Sequence, residues 1–386
     1  MVQNFVFKNF EKKINTKYKK KLINFFNQDN KFKLPDFIKS FKNNYKYSYD
    51  KNFIKKYKKF TNINIIGMGG SSLGSKAIYS FLKEKIKKKV TYLENLNLKK
   101  KIKNKSLNLV ISKSGDTLET IVNLSVNFNK KNKNIFITEN KNNYLRQLAN
   151  KLKSDVIEHK NFIGGRFSVL SEVGMLPAQL MGLNESKFKK YNSLIVNKKF
   201  QNNLINNVIN IYEFTKKKKY NSVILNYDPY SDDLFKWYQQ LVSESLGKNS
   251  KGILPIISTM PKDNHSILQL YLSGFKSNFY TFHIVDEKNS SKMKESLLFG
   301  KYEILKKKNT FNILNTQRIA TENIFKDKKI PFRSFRVKRR NEETLGELFC
   351  FFTLEVILLS NLLNVNPLNQ PQVELVKNET FKILKY

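Results

Sequence analysis

Residues 64–74, NIIGMGGSSLG, decide the fold of this chain, because an apolar run enters a glycine cluster and then a helical pattern. Glycines let the backbone turn sharply and let another group approach closely. The beginning of the helix offers free N–H groups to an anion. The stretch is neither a Walker A loop nor the G-x-G-x-x-G of dinucleotide-binding proteins, whose sixth position holds Ser72 here. It predicts a strand, a tight turn and a helix, with the turn either binding an anion or serving only the fold.

The same alternation of short apolar runs and helical patterns continues along the chain. Apolar strands separated by helices and short loops indicate parallel sheets that are covered on both faces. We predict further strands at residues 90–93, 107–112, 134–138, 156–157, 222–226, 253–258, 279–285 and 332–337. The pattern restarts after a polar stretch near residues 185–200, so the sequence predicts two α/β domains.

The domain boundaries follow from this restart, and the length of 386 residues agrees with two domains at roughly 150 residues each. An apolar helix from about Leu345 to Leu363 closes the second domain, and a short helix begins at about Gln370. We expect an N-terminal helical segment over residues 1–55, a first domain over 56–200, a second domain over 201–366 and a C-terminal helical segment over 367–386.

The chain is strongly basic, with 71 Lys and Arg against 31 Asp and Glu and a net charge of +40. Such a charge invites a nucleic-acid function. The lysines are spread over the whole chain, however, and Arg is scarce. Residues with A/T-rich codons are all in excess, which favours codon bias and no specific nucleic-acid partner. The charge still draws anionic small molecules toward the protein.

Composition also bears on metals, disulfides and membranes. One cysteine, Cys350, excludes an intramolecular disulfide, and three scattered histidines give no zinc-binding spacing, so we expect no metal and no cofactor. The N-terminus lacks a signal-peptide core. Glu347 and Glu355 interrupt the most apolar stretch. We therefore expect a soluble, cytoplasmic protein with no membrane partner.

Residues 112–120, SKSGDTLET, form a second motif after an apolar strand. Three small hydroxyl residues, one lysine and a glycine share this turn, and hydroxyl and N–H donors suit phosphate oxygens. The alternative is a helix that Ser and Thr cap. Asp116 does not fit easily, because a carboxylate that faced a phosphate would repel it.

Two further motifs offer a cation and a carboxylate. Arg166 follows two glycines in residues 164–168, GGRFS, and suits an anion or a developing oxyanion unless it is a surface arginine. Glu244 shares one helical face with Trp237, Gln240 and Leu241. An apolar face and the negative end of a helix both raise the pKa of a carboxylate, which suits a general base; the alternative is a rim glutamate.

The last two motifs are Asn264-His265-Ser266 and residues 365–377, VNPLNQPQVELVK. The His265 imidazole suits acid–base chemistry near neutral pH. Lys377 is the last residue of the motif at 365–377, and it could be one more solvent-exposed lysine among many. Read singly, each motif is more often structural than functional.

Taken together and in order, the six motifs resemble the glucose-6-phosphate isomerase (phosphoglucose isomerase) family. The chain has GMGGSSLG for GIGGSxLG, SKSGDTLET for SKSGTTTET, GGRFSVLSEVG for the GGR-[FY]-S-x-x-S-x-x-G signature and QLVSESLGK for QxxxESxGK. Its NHS matches the histidine loop and its VNPLNQPQVELVK matches VNPFDQPGVExxK. The matches extend from about residue 63 to residue 377, and Asp116 replaces a family Thr.

The resemblance implies two sugar-isomerase (SIS) domains, each a flavodoxin-like three-layer α-β-α sandwich with a parallel sheet, and a C-terminal helix. It implies a homodimer with shared active sites and a sugar-phosphate substrate. Glu244 would move a proton between C1 and C2, Arg166 would stabilise the enediolate, and His265 and Lys377 would assist ring opening. The phosphate would be held by Gly70, Ser71, Ser112, Lys113, Ser114 and Thr117, and the site would also be lined by Gln240 and Gln370.

Three other hypotheses stay open at this point. A non-catalytic sugar-phosphate-binding regulator needs the phosphate cradle but not Glu244, Arg166 and Lys377 together. A nucleic-acid-binding protein rests on charge alone. A dual isomerase would accept mannose 6-phosphate as well.

Overall fold

The structure, a computed structural model, describes residues 4–11, 14–26, 34–96, 102–287 and 290–385. The strands are β1 Phe5–Lys8, β2 Asn62–Ile66, β3 Lys89–Leu93, β4 Leu107–Ile111, β5 Lys133–Thr138, β6 Asp155–Glu158, β7 Asn221–Asn226, β8 Leu254–Thr259, β9 Asn278–Val285 and β10 Phe332–Val337. The helices are α1 Thr16–Ile23, α2 Lys51–Tyr57, α3 Leu73–Phe81, α4 Leu118–Val126, α5 Tyr144–Lys151, α6 Glu172–Leu180, α7 Tyr191–Ile195, α8 Lys198–Lys216, α9 Asp232–Leu246, α10 Leu268–Ser273, α11 Thr310–Asp327, α12 Glu342–Leu363 and α13 Pro371–Ile383.

The first sheet has the strand order β3-β2-β4-β5-β6, and all its strands are parallel. This is the 2-1-3-4-5 order of flavodoxin-like folds, in which ligands bind beyond the carboxyl ends of the strands. Every strand predicted from the apolar runs is confirmed to within two residues, and the predicted α/β fold with parallel sheets is confirmed.

The second sheet has the order β1-β10-β9-β7-β8. Its four later strands are parallel, whereas β1 pairs antiparallel with β10 at the edge. The sequence predicts only helical structure in this N-terminal segment, so the strand β1 is a difference from the prediction. The strand is short, and its partner lies more than 300 residues away, so no local pattern announces it. The domain boundary proposed at residues 200 and 201 lies in the first turn of α8.

Each sheet is covered on both faces. A central core packs the inner faces of both sheets against α8, α9 and α12. A smaller core covers the outer face of the first sheet with α4 and α5, and another covers the outer face of the second sheet with α10 and α11. Among the described helices, α12 is long and apolar enough to cross a membrane, but 94% of its apolar window is buried inside the protein.

A buried polar network fixes the helices of the second domain to its sheet. Arg333 on β10 is fully buried, and its guanidinium donates to the Glu355 carboxylate on α12 and to Asn207 Oδ1 on α8 at 2.9 Å. Tyr238 on α9 donates its hydroxyl to Glu355 Oε1 at 2.7 Å. Buried charges are tolerated only when they are paired and hydrogen-bonded, and this network meets that need by connecting α8, α9 and α12 to β10.

Replacement of Arg333 tests this network. In Arg333→Met the Glu355 carboxylate stays buried without its cation, and we expect a loss of about 3–5 kcal/mol in the free energy of unfolding. Arg336→Met is the matched control, because Arg336 is 47% exposed and pairs with Asp286 at the surface; its cost should stay below about 1 kcal/mol. Equal losses in chemical denaturation would show that the network adds nothing beyond a surface ion pair.

Candidate active site

The two glycine-containing turns of the first domain lie side by side. They follow β2 and β4, which are parallel neighbours in the sheet. A Cβ atom on Gly67 would lie 2.9 Å from the Ile111 carbonyl oxygen, so the two turns are in contact. Both therefore lie at the carboxyl edge of the sheet, where open α/β sheets bind their ligands.

The turn after β4 gathers its hydroxyl groups. The Ser112 and Thr117 hydroxyl oxygens are 2.8 Å apart, and Ser112 Oγ also accepts the Gly115 N–H at 3.1 Å. Ser114 Oγ lies 3.5 Å from Ser112 Oγ. Gly115 adopts φ +81°, a left-handed conformation that favours glycine. The three predicted hydroxyl ligands are thus close together at the beginning of α4, as a phosphate cradle requires.

The charged residues of this turn point to protein partners. The Lys113 ammonium donates to the Asn161 carbonyl at 2.8 Å and lies 3.4 Å from Glu139 Oε1. Asp116 Oδ1 accepts the backbone N–H of Tyr144 at 3.2 Å, at the beginning of α5. The carboxylate of Asp116 is therefore engaged by a helix N-terminus, and a direct contact between Lys113 and phosphate stays a prediction.

The turn after β2 touches the arginine turn. Gly70 is buried, and a Cβ atom there would lie 2.2 Å from the Gly165 carbonyl carbon and 2.7 Å from the Arg166 nitrogen. Only a residue without a side chain fits at this distance. The approach places the short 3-10 helix Gly69–Ser71 directly against the 3-10 helix Gly165–Leu170, which carries Arg166.

Arg166 is 2% exposed and joins three segments of the chain. Its Nε donates to Ser245 Oγ at 3.0 Å, and its Nη1 lies 3.0 Å from Glu244 Oε2. Nη1 also donates to the Gln370 amide oxygen, and Nη2 donates to the main-chain carbonyls of Pro367 and Asn369. Burial lowers the pKa of this guanidinium, and the Glu244 carboxylate opposes the shift.

Glu244 lies in the last turn of α9, as the sequence predicted. Its second oxygen, Oε1, accepts the Gln240 amide N–H at 2.9 Å, one helical turn earlier. Gln240 in turn lies against the glycine cluster, since a Cβ atom on Gly69 would be 2.9 Å from Gln240 Nε2. The structure thus brings Arg166, Gln240 and Glu244 together beside the turn after β2.

A cavity of about 660 Å³ opens beside this carboxylate, which is 25% exposed. It is lined by the end of α9, by the loop after it and by the beginning of α13, including Glu244, Lys248, Gln370 and Val373. The volume suits a small ligand such as a sugar phosphate. Two of the predicted site residues, Glu244 and Gln370, therefore face one cavity.

The remaining two catalytic candidates lie elsewhere in the described chain. His265 is exposed at the end of the 3-10 helix Lys262–His265, which follows β8. Lys377 lies on α13, four residues after the cavity-lining Val373, and its ammonium pairs with Glu374 at 2.7 Å. Neither is among the residues found to line the cavity, so their roles stay predictions.

Two residues of the site were not singled out from the sequence. Ser245 holds Arg166 Nε, and the Lys248 ammonium donates to the main-chain carbonyl of Glu244 at 2.7 Å. Both belong to the ESLGK stretch, residues 244–248, so the motif contained the signal. Only Glu244 was singled out from this motif, as the general base, so Ser245 and Lys248 were not predicted.

The chain is similar in sequence to known proteins along most of its length. The family model for phosphoglucose isomerase matches residues 30–258. The glucose-6-phosphate isomerase of Methanocaldococcus jannaschii is 33% identical over 87% of this chain and 88% of its own. That of Mycoplasmopsis pulmonis is 33% identical over 83% and 82%.

Solved structures show the same fold. A hypothetical protein from Thermus thermophilus superposes with a TM-score of 0.76 at 21% identity, over 96% of this chain and 94% of its own. A glucose-6-phosphate isomerase from Chlamydia trachomatis superposes with a TM-score of 0.71 at 17% identity, over 86% and 72%. By its family-model match and its sequence relatives, this chain belongs to the phosphoglucose isomerase family.

Proposed function

We propose that this protein interconverts glucose 6-phosphate and fructose 6-phosphate, with Glu244 as the base that carries a proton between C1 and C2. The observation that carries the proposal is the Glu244 carboxylate in the cavity, 3.0 Å from the buried Arg166 guanidinium. Family membership and the named relatives support the reaction. The assignment of roles to individual residues is our inference.

The reaction removes a proton α to a carbonyl group and returns it one carbon away. One carboxylate near both carbons suffices for this transfer. Glu244 projects from the end of a helix, and its two oxygens are held by Arg166 and Gln240. The carboxylate is thus oriented before substrate binds, which reduces the cost of ordering it in the transition state.

Arg166 supplies positive charge for the enediolate. A guanidinium has five N–H donors, and in this structure they reach the side chains of Ser245, Glu244 and Gln370 and two main-chain carbonyls. The cation therefore acts through its field, and a direct hydrogen bond to an enediolate oxygen requires Glu244 or Gln370 to release one donor. A fixed cation beside developing negative charge is the usual source of such stabilisation.

The phosphate end of the substrate belongs at the two neighbouring turns. The Ser112, Ser114 and Thr117 hydroxyls and the backbone around Gly70 and Ser71 offer donors there. Gly70 touches the Arg166 turn, so the cradle is continuous with the catalytic groups. Binding energy at the phosphate then positions the reacting carbons without contacting them.

We infer that a second copy of the chain completes the site by supplying His265. The C-terminal helix α13 buries none of its residues in the described chain and exposes Val376 and Ile383 by 70% and 67%. Phe299 and Ile304 are 76% and 77% exposed. Exposed apolar side chains on a helix that is buried nowhere along its length favour a protein–protein contact, and the exposed His265 is available to a neighbouring subunit.

Glu244→Gln tests the base directly. The amide keeps the size of the side chain but does not accept a proton, so we expect kcat to fall at least about 100-fold while KM changes little. Glu213→Gln is the matched control, because Glu213 pairs with Lys216 at the surface of α8. A coupled assay measures both variants. A Glu244→Gln enzyme that retains most of its turnover would remove Glu244 from the mechanism.

Mixed dimers test who supplies His265. Glu244→Gln chains and His265→Ala chains are co-expressed with different tags, and the heterodimer is purified. If His265 enters the neighbouring site, one site of the heterodimer carries both defects and the other carries neither, so activity returns to about half. If His265 acts in its own subunit, every site has one defect and activity stays low. A fully active His265→Ala homodimer would exclude a catalytic role.

A further inference from the structure

Lys248 lies four residues after Glu244, just beyond the end of α9, and lines the same cavity. Its ammonium donates to the main-chain carbonyl oxygens of Glu244 and Ser245, at 2.7 and 2.8 Å. The last carbonyl groups of a helix lack intrahelical partners and give the C-terminal end a negative partial charge. Lys248 therefore binds and neutralises the end of the helix that carries Glu244.

The turn after α9 holds Lys248 in this place. The Gly247 N–H donates to the Ser243 carbonyl at 2.9 Å, and a Cβ atom on Gly247 would meet that oxygen at 2.6 Å. Lys248 and Lys251 then exchange two main-chain hydrogen bonds, of 3.0 and 2.9 Å. The backbone thus turns tightly at the end of the helix, which brings the Lys248 side chain back to the last turn.

The charges around this ammonium make it part of the site. Two charged groups influence the pKa of the Lys248 ammonium: Arg166 on the glycine-rich turn and Glu244 on α9. Burial and the Arg166 guanidinium lower the pKa of Lys248 to about 8, while the Glu244 carboxylate opposes the shift. At the acidic pH at which carboxylates titrate, Lys248 is therefore charged. Glu244 then has two cations in contact with it, Arg166 at its side-chain carboxylate and Lys248 at its main-chain carbonyl oxygen.

We propose that Lys248 is a positioning residue for the base: its ammonium holds the last turn of α9 and adds positive charge to the helix end that carries Glu244. The residue acts through Glu244 and not on the substrate. The proposal rests on the proposed function of Glu244. The positive charge of Lys248, and not only its place in the turn after α9, therefore has a role in the site.

The pH dependence of kcat/KM tests the proposal. Lys248→Met removes a positive charge from this helix end, so the acid limb, which is the fall in kcat/KM at low pH, should move up by about 0.5–1 pH unit. At a pH well below the wild-type limb, kcat/KM should fall about 3- to 10-fold, and at pH 8 it should stay within about twofold of wild type. Lys248→Arg keeps the positive charge, so its acid limb should lie at the same pH as that of the wild type.

Lys251→Met is the matched control. Lys251 lines the same cavity, but its ammonium donates to the Leu363 carbonyl at 2.9 Å, at the end of α12. It therefore carries the same charge in the same turn without contacting the end of α9. We expect this variant to leave the acid limb in place. The substrate phosphate titrates equally in all these enzymes, so only the difference between them is interpreted.

Three results would overturn the proposal. They are an unmoved acid limb in Lys248→Met, an equal shift in Lys251→Met, and a uniform loss of activity at every pH, which indicates a structural role. If Lys248→Met does not fold, Lys248→Gln replaces it, since Gln keeps an N–H donor without the charge and should shift the limb by the same amount. A wild-type enzyme without isomerase activity would refute the proposed function, whereas an active wild type with an unmoved limb refutes only the role of Lys248.

Discussion

The arrangement of the site depends on the hydrogen bonds and the ion pair of the buried Arg166 guanidinium. A cation at 2% exposure is tolerated only with a full set of acceptors. Those acceptors come from the end of α9 and from the segment that precedes α13. The one side chain therefore connects the helix that carries Glu244, the C-terminal segment and its own glycine-rich turn. The close contact of Gly70 with Gly165 places the carboxyl edge of the first sheet at the same point.

The two sheets contribute different parts of this arrangement. The first sheet presents the hydroxyl-rich turn and the glycine cluster at its carboxyl edge. The second domain presents Glu244 at the end of α9, and Tyr238 of the same helix joins the Arg333 and Glu355 network in the core. A continuous apolar core joins both sheets through the central helices. Glu244 and the hydroxyl-rich turn, which we propose as the base and the phosphate cradle, are thus carried by elements that share one core.

The sequence predicted most of the fold because the deciding signals are local. Each parallel strand is an apolar run followed by a turn motif, and all of these were placed to within two residues. The strand β1 was missed because its partner, β10, is distant in sequence and its own alternation is short. The helical face with Gln240 and Glu244 was visible from periodicity. The position of Arg166 beside this helical face was expected only from the family resemblance.

Some contacts of the site lay beyond sequence reasoning. The Lys113 ammonium pairs with Glu139, which follows another strand, and nothing in the motif specifies that partner. The Asp116 carboxylate accepts the N-terminal N–H of α5, a contact that depends on how the two loops meet. Lys248 stands inside a recognised motif, yet the role we propose for it depends on the helix end that its ammonium contacts. Such contacts arise from tertiary packing and not from the spacing of residues.

The central claim is that one carboxylate moves a proton between two neighbouring carbons. Glucose 6-phosphate with deuterium at C2, converted by the enzyme in ordinary water, tests this claim most directly. The deuterium at C1 of the first fructose 6-phosphate formed is measured by NMR or mass spectrometry. A single base that exchanges with water while it holds the proton predicts that part of the deuterium reaches C1 and the rest is lost to the solvent. Complete retention at C1, with no exchange under any condition, would indicate a direct hydride shift and contradict the account.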